Sequence, residues 1–152
     1  MTLKAIDRAS ATDRTVLILT QRDTEKNDIT TDDVYNVGCV AKIKQVAQLS
    51  GGVIRVLCEG LYRAHARVIA MESGYFYAVA DPMETVRGDA VMEEAYFRTA
   101  KELAKDVLAT DGKVVKEVFT KLERCQDPDE YVDMALSAIL PGFPSMLIVP
   151  PM

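Results

Sequence analysis

One short segment of this sequence, CEGLYRAHARV (residues 58–68), contains the residue types that most often do chemistry. It holds Cys58 and Glu59, and His65, the only histidine of the chain, follows seven residues after Cys58. A cysteine and a histidine can form a nucleophile and its base if a third group orients the imidazole and an oxyanion site is present. The same side chains could also be ligands of zinc, but a zinc site needs three or four ligands.

The spacing of the neighbouring residues favours a structural interpretation of this segment. Cys58 is in phase with Ile54 and Val56, so the alternation of a β-strand would place all three on one apolar face. The chain also lacks the G-x-x-x-x-G-K-[ST], G-x-S-x-G and H-E-x-x-H patterns of nucleotide, acyl-transfer and zinc-protease sites. We therefore expect no catalytic residue, no metal ligand and no cofactor, and the Cys58–His65 hydrolase remains an alternative.

Composition indicates the compartment and excludes some partners. The chain of 152 residues has a net charge of −5, which argues against a general polyanion binder. Its three cysteines show no C-x-x-C spacing, as is usual for reduced thiols inside the cell. The sequence shows no secretory signal, and its longest apolar stretch contains four of the six prolines, so we expect a soluble protein without a membrane span.

The first half of the chain has the periodicity of a helix followed by strands. The first dozen residues predict a short helix, and Thr15 to Thr20 predict a buried strand. Ser50-Gly51-Gly52 is typical of a hairpin turn because glycine adopts positive φ without steric cost. The further strands are predicted at residues 37–46, 53–59, 64–70 and 75–80. Tight turns between them suggest an antiparallel meander that closes into a small barrel or sandwich.

After Asp81-Pro82 the periodicity changes to that of helices. A stripe of apolar residues predicts a helix from about Asp89 to Ala109, and Val118 and Leu122 mark a second helix. A third helix begins at the sequence DPDE with Asp127 as its N-cap. The stripe of the first helix consists of Met92, Tyr96, Thr99, Leu103 and Val107, and that of the third contains Val132, Leu136 and Ile139. A β-rich half followed by a helical half predicts the α+β class.

Two apolar segments could form a binding surface. Tyr75-Phe76-Tyr77 could stack on nucleic acid bases, although a strand with one buried face is the simpler interpretation in an acidic protein. The proline-rich segment at residues 143–152 cannot be a central strand. We expect it to lie at an edge of the barrel or to form an exposed patch that binds partners.

Residues 34–70 contain a V-G-x-x-A strand, a short polar turn with glycine, and then the segment from Val53 to Cys58 followed by Glu59, Gly60 and Arg63. With these features the β-rich region resembles the amino-terminal domain of Lon, the ATP-dependent protease, which shows a V-x-V-x-x-E-G-x-x-R hairpin at this place. The upstream helix and the strand TVLILTQRD are similar to the same family, as is the helix DPDEYVDMALSAIL. The motif residues are Gly38 and Ala41 in the first strand, and Glu59, Gly60 and Arg63 in the hairpin.

This resemblance implies a fold and a function. The fold would be a small antiparallel PUA-like β-barrel or sandwich over residues 1–82, which residues 143–152 could complete, followed by a helical portion over residues 83–142. The chain would then be a non-catalytic domain that recognises unfolded or damaged polypeptides for a hexameric Lon-type enzyme in the cytoplasm or the mitochondrial matrix. No nucleic acid or membrane partner is expected, and an RNA-binding module of the PUA-like type is the alternative function.

The resemblance also suggests roles for particular residues. Gly38 and Glu59 belong to the structural motif, in which Gly60 would form a turn and Arg63 would hold the hairpin together. The expected substrate-binding residues are Tyr62, Tyr75, Tyr77, Met146 and Leu147.

One departure from the family concerns the order of the chain. The family usually begins with a strand that is missing before Met1, and the segment from Phe143 to Met152 resembles the second half of that strand. We hypothesise that this strand is displaced to the other end of the chain, as in a circular permutation. It should then lie beside the strand at Val16 to Leu19.

Overall fold

The computed structural model describes residues 2–72, 74–110, 116–139 and 146–149. The chain divides into two compact units, a β unit within Met1–Met83 and Pro144–Met152 and a helical unit within Glu84–Phe143. None of the helices in the described ranges is both long and apolar enough to span a membrane.

The β unit is a curled antiparallel sheet with one short helix. The elements are α1 (Thr2–Ser10), β1 (Thr15–Gln21), β2 (Val34–Gln48), β3 (Ile54–Glu72), β4 (Tyr75–Pro82) and β5 (Met146–Val149). The strands are hydrogen bonded in the order β4-β3-β2-β1-β5, and the two edge strands β4 and β5 also approach each other. Short 3-10 turns at Thr31–Asp33 and Ser50–Gly52 precede β2 and β3. The predicted α+β class with a barrel-like antiparallel sheet followed by helices is confirmed.

Both faces of the sheet are buried near β1. On β1, Leu17 and Leu19 point into the curl, where they contact Phe76 and other core residues. Val16 lies on the opposite face, in a second apolar cluster with Ile6 of α1. This arrangement explains why TVLILT is apolar throughout, since a strand buried on both sides does not alternate between apolar and polar residues.

A β-bulge lets β3 contribute to both apolar clusters. Gly60 is paired with Ala41 and Tyr62 with Val40, so Leu61 is the additional residue of the bulge. Because of this additional residue, the even-numbered side chains of β3 point to one face of the sheet before the bulge and to the other face after it. Before it, Cys58 packs against the cluster beneath α1, whereas Ala64 after it lies in the core of the curl.

The sequence-based division of this region into two strands is wrong. The strands predicted at residues 53–59 and 64–70 are one continuous strand of 19 residues, β3. The turn expected at Gly60 is therefore absent, and the real reversals are at Ser50–Gly52 and around Gly74, where Gly51, Gly52 and Gly74 have positive φ. The glycine at position 60 instead lies within the bulge.

The segment at residues 146–149 forms the strand expected beside β1. Leu17 pairs with Val149 and Thr20 with Met146 in an antiparallel register. The predicted proximity of this segment to Val16–Leu19 is thus confirmed, whereas Phe143 and the residues after Val149 lie outside the described residues.

The helical unit contains α2 (Ala90–Thr110), α3 (Lys116–Arg124) and α4 (Pro128–Ile139). Asp89 and Asp127 cap α2 and α4, and Oδ1 of Asp127 accepts hydrogen bonds from the amides of Asp129 and Glu130 at 3.0 and 2.9 Å. These amides hold the Asp127 carboxyl in its charged form and lower its pKa, and the Arg87 guanidinium adds to this effect. The predicted N-cap is therefore confirmed.

The apolar stripes that predicted α2 and α4 are mostly exposed, whereas the predicted stripe of α3 is confirmed as a buried face because Leu122 lies in the core. Phe97 and Ala104 of α2 pack against Tyr131 and Ala135 of α4. The rings of Phe97 and Tyr131 meet edge to face with centroids 5.3 Å apart. Most of the predicted stripe is instead exposed, namely Met92, Tyr96, Leu103 and Val107 on α2 and Val132 and Leu136 on α4.

Candidate functional site

The three residues that first suggested chemistry do not form a site. Cys58 and His65 lie in the same extended strand, so seven residues separate their Cα atoms by roughly 20 Å. Nε2 of His65 lies 3.0 Å from Nδ2 of Asn36, and burial raises the pKa of the half-buried Cys58 thiol, which makes it a poorer nucleophile. The described residues include no cluster of three or more potential metal ligands.

Gly60 lies in a β-bulge and not in a turn, and Arg63 lies three residues later in the same strand. A Cβ atom at Gly60 would lie 3.2 Å from Sγ of Cys39, so the glycine leaves room for a side chain of the neighbouring strand. Arg63 lies within β3 opposite Cys39, and its carbonyl oxygen accepts a hydrogen bond from the Met83 amide at 2.9 Å. The role of a turn for Gly60 is therefore wrong, because the chain continues in the same direction on both sides of it.

Gly38 lies where β1 and β2 approach most closely. It pairs with Leu19, and a Cβ atom at this position would lie 2.3 Å from the carbonyl oxygen of Ile18 and 2.6 Å from Cδ2 of Leu19. Real Cβ contacts are never this short, so only glycine fits without moving β1. Glu59 of the same motif is exposed and forms a salt bridge with Lys44.

Tyr62 lines a cavity beside the core of the curled sheet. The cavity has a volume of about 260 Å³ and extends between β1, β2 and β4. The small residues Ala78 and Ala80 of β4 also line it, together with Leu17 and Val40. Tyr62 is 45% exposed, so this aromatic ring is accessible to a ligand.

The other proposed binding residues are not brought together with Tyr62. Tyr75 and Tyr77 are half-buried and point away from Phe76 and Ala78, whose side chains form the core of the curl. They therefore occupy the opposite face of the sheet from Tyr62. Met146 and Leu147 pair with Thr20 and Leu19 through the backbone of β5, and their side chains lie outside the described part of the structure.

A surface that the sequence motifs did not indicate extends from Tyr62 along β3. Leu57 and Leu61 are exposed, and the charged residues Arg55 and Glu59 alternate with apolar ones. All of these residues lie on the part of β3 that extends beyond β4, and Arg55 and Leu57 also lie beyond the end of β1. A sequence pattern of alternation predicts a strand here, but it does not reveal that the strand is longer than its neighbours.

The helical unit has a smaller cavity of about 150 Å³ between α2, α3 and α4. Lys101 lies beside it and donates a hydrogen bond to the carbonyl oxygen of Cys125 at 2.6 Å. Its ammonium group also lies 4.4 Å from the ring centroid of Phe97. Since these contacts cap the end of α3 and support the core, we interpret Lys101 as a structural residue.

The chain is similar to known proteins over most of its length. A family model described as the ATP-dependent protease La (LON) substrate-binding domain matches residues 1–145. The Lon protease of Trichlorobacter lovleyi is 32% identical over 138 residues, which are 90% of this chain and 17% of that protein. The Lon protease of Escherichia coli is 28% identical over 131 residues, or 86% of this chain and 17% of that protein.

A solved structure has a similar fold. The N-terminal domain of the Mycobacterium avium complex Lon protease superposes with a TM-score of 0.51 at 16% sequence identity, covering 91% of this chain and 84% of that one. The chain spans about 17% of the length of the two Lon proteases above. Because the family model covers almost the whole sequence, this chain belongs to the ATP-dependent protease La (LON) substrate-binding domain family.

Proposed function

We propose that this chain recognises unfolded or damaged polypeptides for a Lon-type ATP-dependent protease. The observation that carries this proposal is the match of the substrate-binding domain family to residues 1–145. The chain itself is non-catalytic in this proposal. ATP hydrolysis and peptide cleavage belong to the other parts of a hexameric enzyme, which acts in the cytoplasm.

Exposed apolar surface on the β unit supports this role. Tyr62, Leu57 and Leu61 are exposed on the same part of β3, and unfolded chains offer apolar side chains that folded proteins bury. Tyr62 is therefore the substrate-binding residue that we favour among those proposed from the sequence. Half-buried Tyr75 and Tyr77 contribute less accessible surface, and Met146 and Leu147 remain proposals.

The charges of the β unit give little support to RNA binding. Lys44 forms an ion pair with Glu59 and Arg67 with Asp81, so these two cations on β2 and β3 are already compensated. A protein that binds RNA through its phosphates presents clustered cations that are free to replace counterions. We therefore propose polypeptide and not nucleic acid as the ligand.

A titration of the 15N-labelled chain followed by NMR tests this function. The ligand is a reduced and carboxymethylated protein, and the same protein in its native state is the control. We expect shifts at β3 with the unfolded form alone. Absence of shifts with the unfolded protein at about 1 mM would contradict the proposal, and shifts with single-stranded RNA that weaken as salt rises would favour the nucleic-acid alternative.

A further inference from the structure

Among the described residues, the register of the sheet leaves one long strand edge without a partner strand. β4 pairs with β3 only from Ala64 to Glu72, although β3 begins at Ile54. From Ile54 to Arg63, β3 pairs with β2 on its other side. Since a strand directs its N–H and C=O groups alternately to its two neighbours, about half of these groups in residues 54–62 face no strand in the described structure.

The free edge at residues 54–62 lies on the same side of β3 as β4. Directly after β4 ends, the Met83 amide donates a hydrogen bond to the carbonyl oxygen of Arg63, next to the free edge. Another strand placed beside residues 54–62 would therefore extend the sheet in the position that β4 occupies next to residues 64–72. Residues 64–72 of β3 already bind a strand on this side, so residues 54–62 could bind one in the same way.

The side chains along the edge fit a ligand with apolar residues. Leu57, Leu61 and Tyr62 are all exposed there. Two devices that limit association of exposed edges are also present, namely the charged residues Arg55 and Glu59 and the bulge at Leu61. An edge of this kind disfavours a long flat strand of a folded protein but accepts a short flexible segment that adapts to the bulge.

We propose that residues 54–62 of β3 bind an extended segment of an unfolded polypeptide as an additional strand of the sheet. This inference rests on the proposed function and specifies how the ligand is recognised. Main-chain hydrogen bonds supply affinity that is independent of sequence, and Leu57, Leu61 and Tyr62 add a preference for apolar side chains. Such recognition suits a protein that must bind many different unfolded chains.

Amide hydrogen exchange measured by NMR tests the added strand. The probe is a 12-residue peptide with valine or leucine at alternate positions, threonine between them and lysines at both ends. We expect it to slow exchange at alternate residues of 54–62, with no change at residues 64–72, whose edge β4 covers. A peptide of the same sequence with all central amides N-methylated should bind at least about tenfold more weakly, because it cannot donate these hydrogen bonds.

Two substitutions in β3 give a matched comparison. Leu57 and Met71 are 58% and 57% exposed in the same strand, but only Leu57 lies on the free edge. Leu57→Lys should weaken binding of the peptide about fivefold or more, since a lysine on an edge opposes strand pairing. Met71→Lys should leave the affinity unchanged, and both variants should fold because the replaced side chains are exposed.

The outcomes separate this inference from the proposed function. If the carboxymethylated protein binds while residues 54–62 gain no protection, or if the N-methylated peptide binds equally well, strand addition is wrong and the recognition role remains. Protection of the same residues without peptide, rising with protein concentration, would also overturn the inference by assigning the edge to a second copy of the chain. If neither the unfolded protein nor the peptide binds, the proposed function itself fails.

Discussion

The β unit and the helical unit of this chain differ in net charge and in how completely their cores are buried. The β unit is electrically balanced, with ten basic and ten acidic residues, whereas residues 84–143 carry eight basic and thirteen acidic residues. Core residues of the sheet are between 0 and 4% exposed, but those of the helices are between 2 and 9% exposed. The β unit therefore combines a closely packed core with an exposed β2–β3 hairpin, while the helical unit leaves many apolar side chains exposed to water.

This difference shows where apolar patterns are informative. In a strand that is buried on both faces, apolar residues on either face pack into a core, as Val16 and Leu17 of β1 do. On α2 most of the large apolar side chains stay exposed, and only Phe97 and Ala104 belong to the core of the helical unit. The most regular stripe there, which includes Tyr96 at 67% exposure, therefore identifies the helix without identifying its buried face.

The two cores can be compared most directly by removing a phenylalanine from each. Phe76→Ala should lower the free energy of unfolding of the β unit by about 4 kcal/mol, because Phe76 is almost fully buried. Phe97→Ala should cost the helical unit about 3 kcal/mol, since the ring is at the margin of a smaller core. Urea denaturation followed by NMR signals of each unit measures both values, and an equal or larger loss for Phe97→Ala would contradict the comparison.

The close approach of β1 and β2 predicts the next largest effect. Gly38→Ala should destabilise the β unit by about 2–3 kcal/mol because the new methyl group overlaps the backbone of Ile18. Gly88→Ala is the matched control, since a Cβ atom at Gly88 has no neighbour within 4 Å. Thermal unfolding of the two variants decides the matter: a Gly38→Ala protein as stable as the control would mean that β1 and β2 can separate without cost.

Acid should affect the helical unit through the cap of α4. The pKa of Asp127 is lowered in the folded state, so its stabilising effect is present above the unfolded value near 3.8 and is lost as the pH falls through the lower folded value. Asp127→Ala should reduce the melting temperature of this unit by about 5 °C at pH 7. Asp127→Asn retains an oxygen acceptor and should restore most of that loss while removing the dependence on acid below pH 4.

The contradictory result would be a steep loss of stability below pH 4 that is the same in Asp127→Asn as in the original chain. Such a result would assign the acid sensitivity to another carboxyl group. Asp33 is one such group, since its pKa is lowered by hydrogen bonds from Lys26 and Thr30 in the β unit. Signals from the two units distinguish these cases.

Much of the fold could be predicted from local patterns, and the errors have physical causes. The N-cap at Asp127 and the hairpin at Gly51-Gly52 were predictable because a few adjacent residues determine them. The turn assigned to Gly60 was wrong because glycine occurs in bulges as well as in turns. Only the pairing of β3 with β2 on both sides of Gly60 distinguishes a bulge from a turn. Local sequence does not contain that information.

The candidate site illustrates the same limit. Tyr62 was predicted as a binding residue, and the structure places it beside a cavity. Tyr62 lies on the opposite face of the sheet from Tyr75 and Tyr77 because of the bulge and the register of the strands. Residue types alone do not specify either. The free edge of β3 depends on where β4 stops pairing, and this is a property of the whole sheet.

The pairing of β1 with β5 has a consequence for how the chain is made. Val149 pairs with Leu17, which is 132 residues earlier (149 − 17), so the whole helical unit is synthesised before this neighbour of β1 exists. At a translation rate of about 5–20 residues per second, the growing chain waits roughly 7–26 s for β5. During this interval one side of β1 is unpaired on the ribosome, and binding of that strand by a chaperone would protect the nascent protein from aggregation.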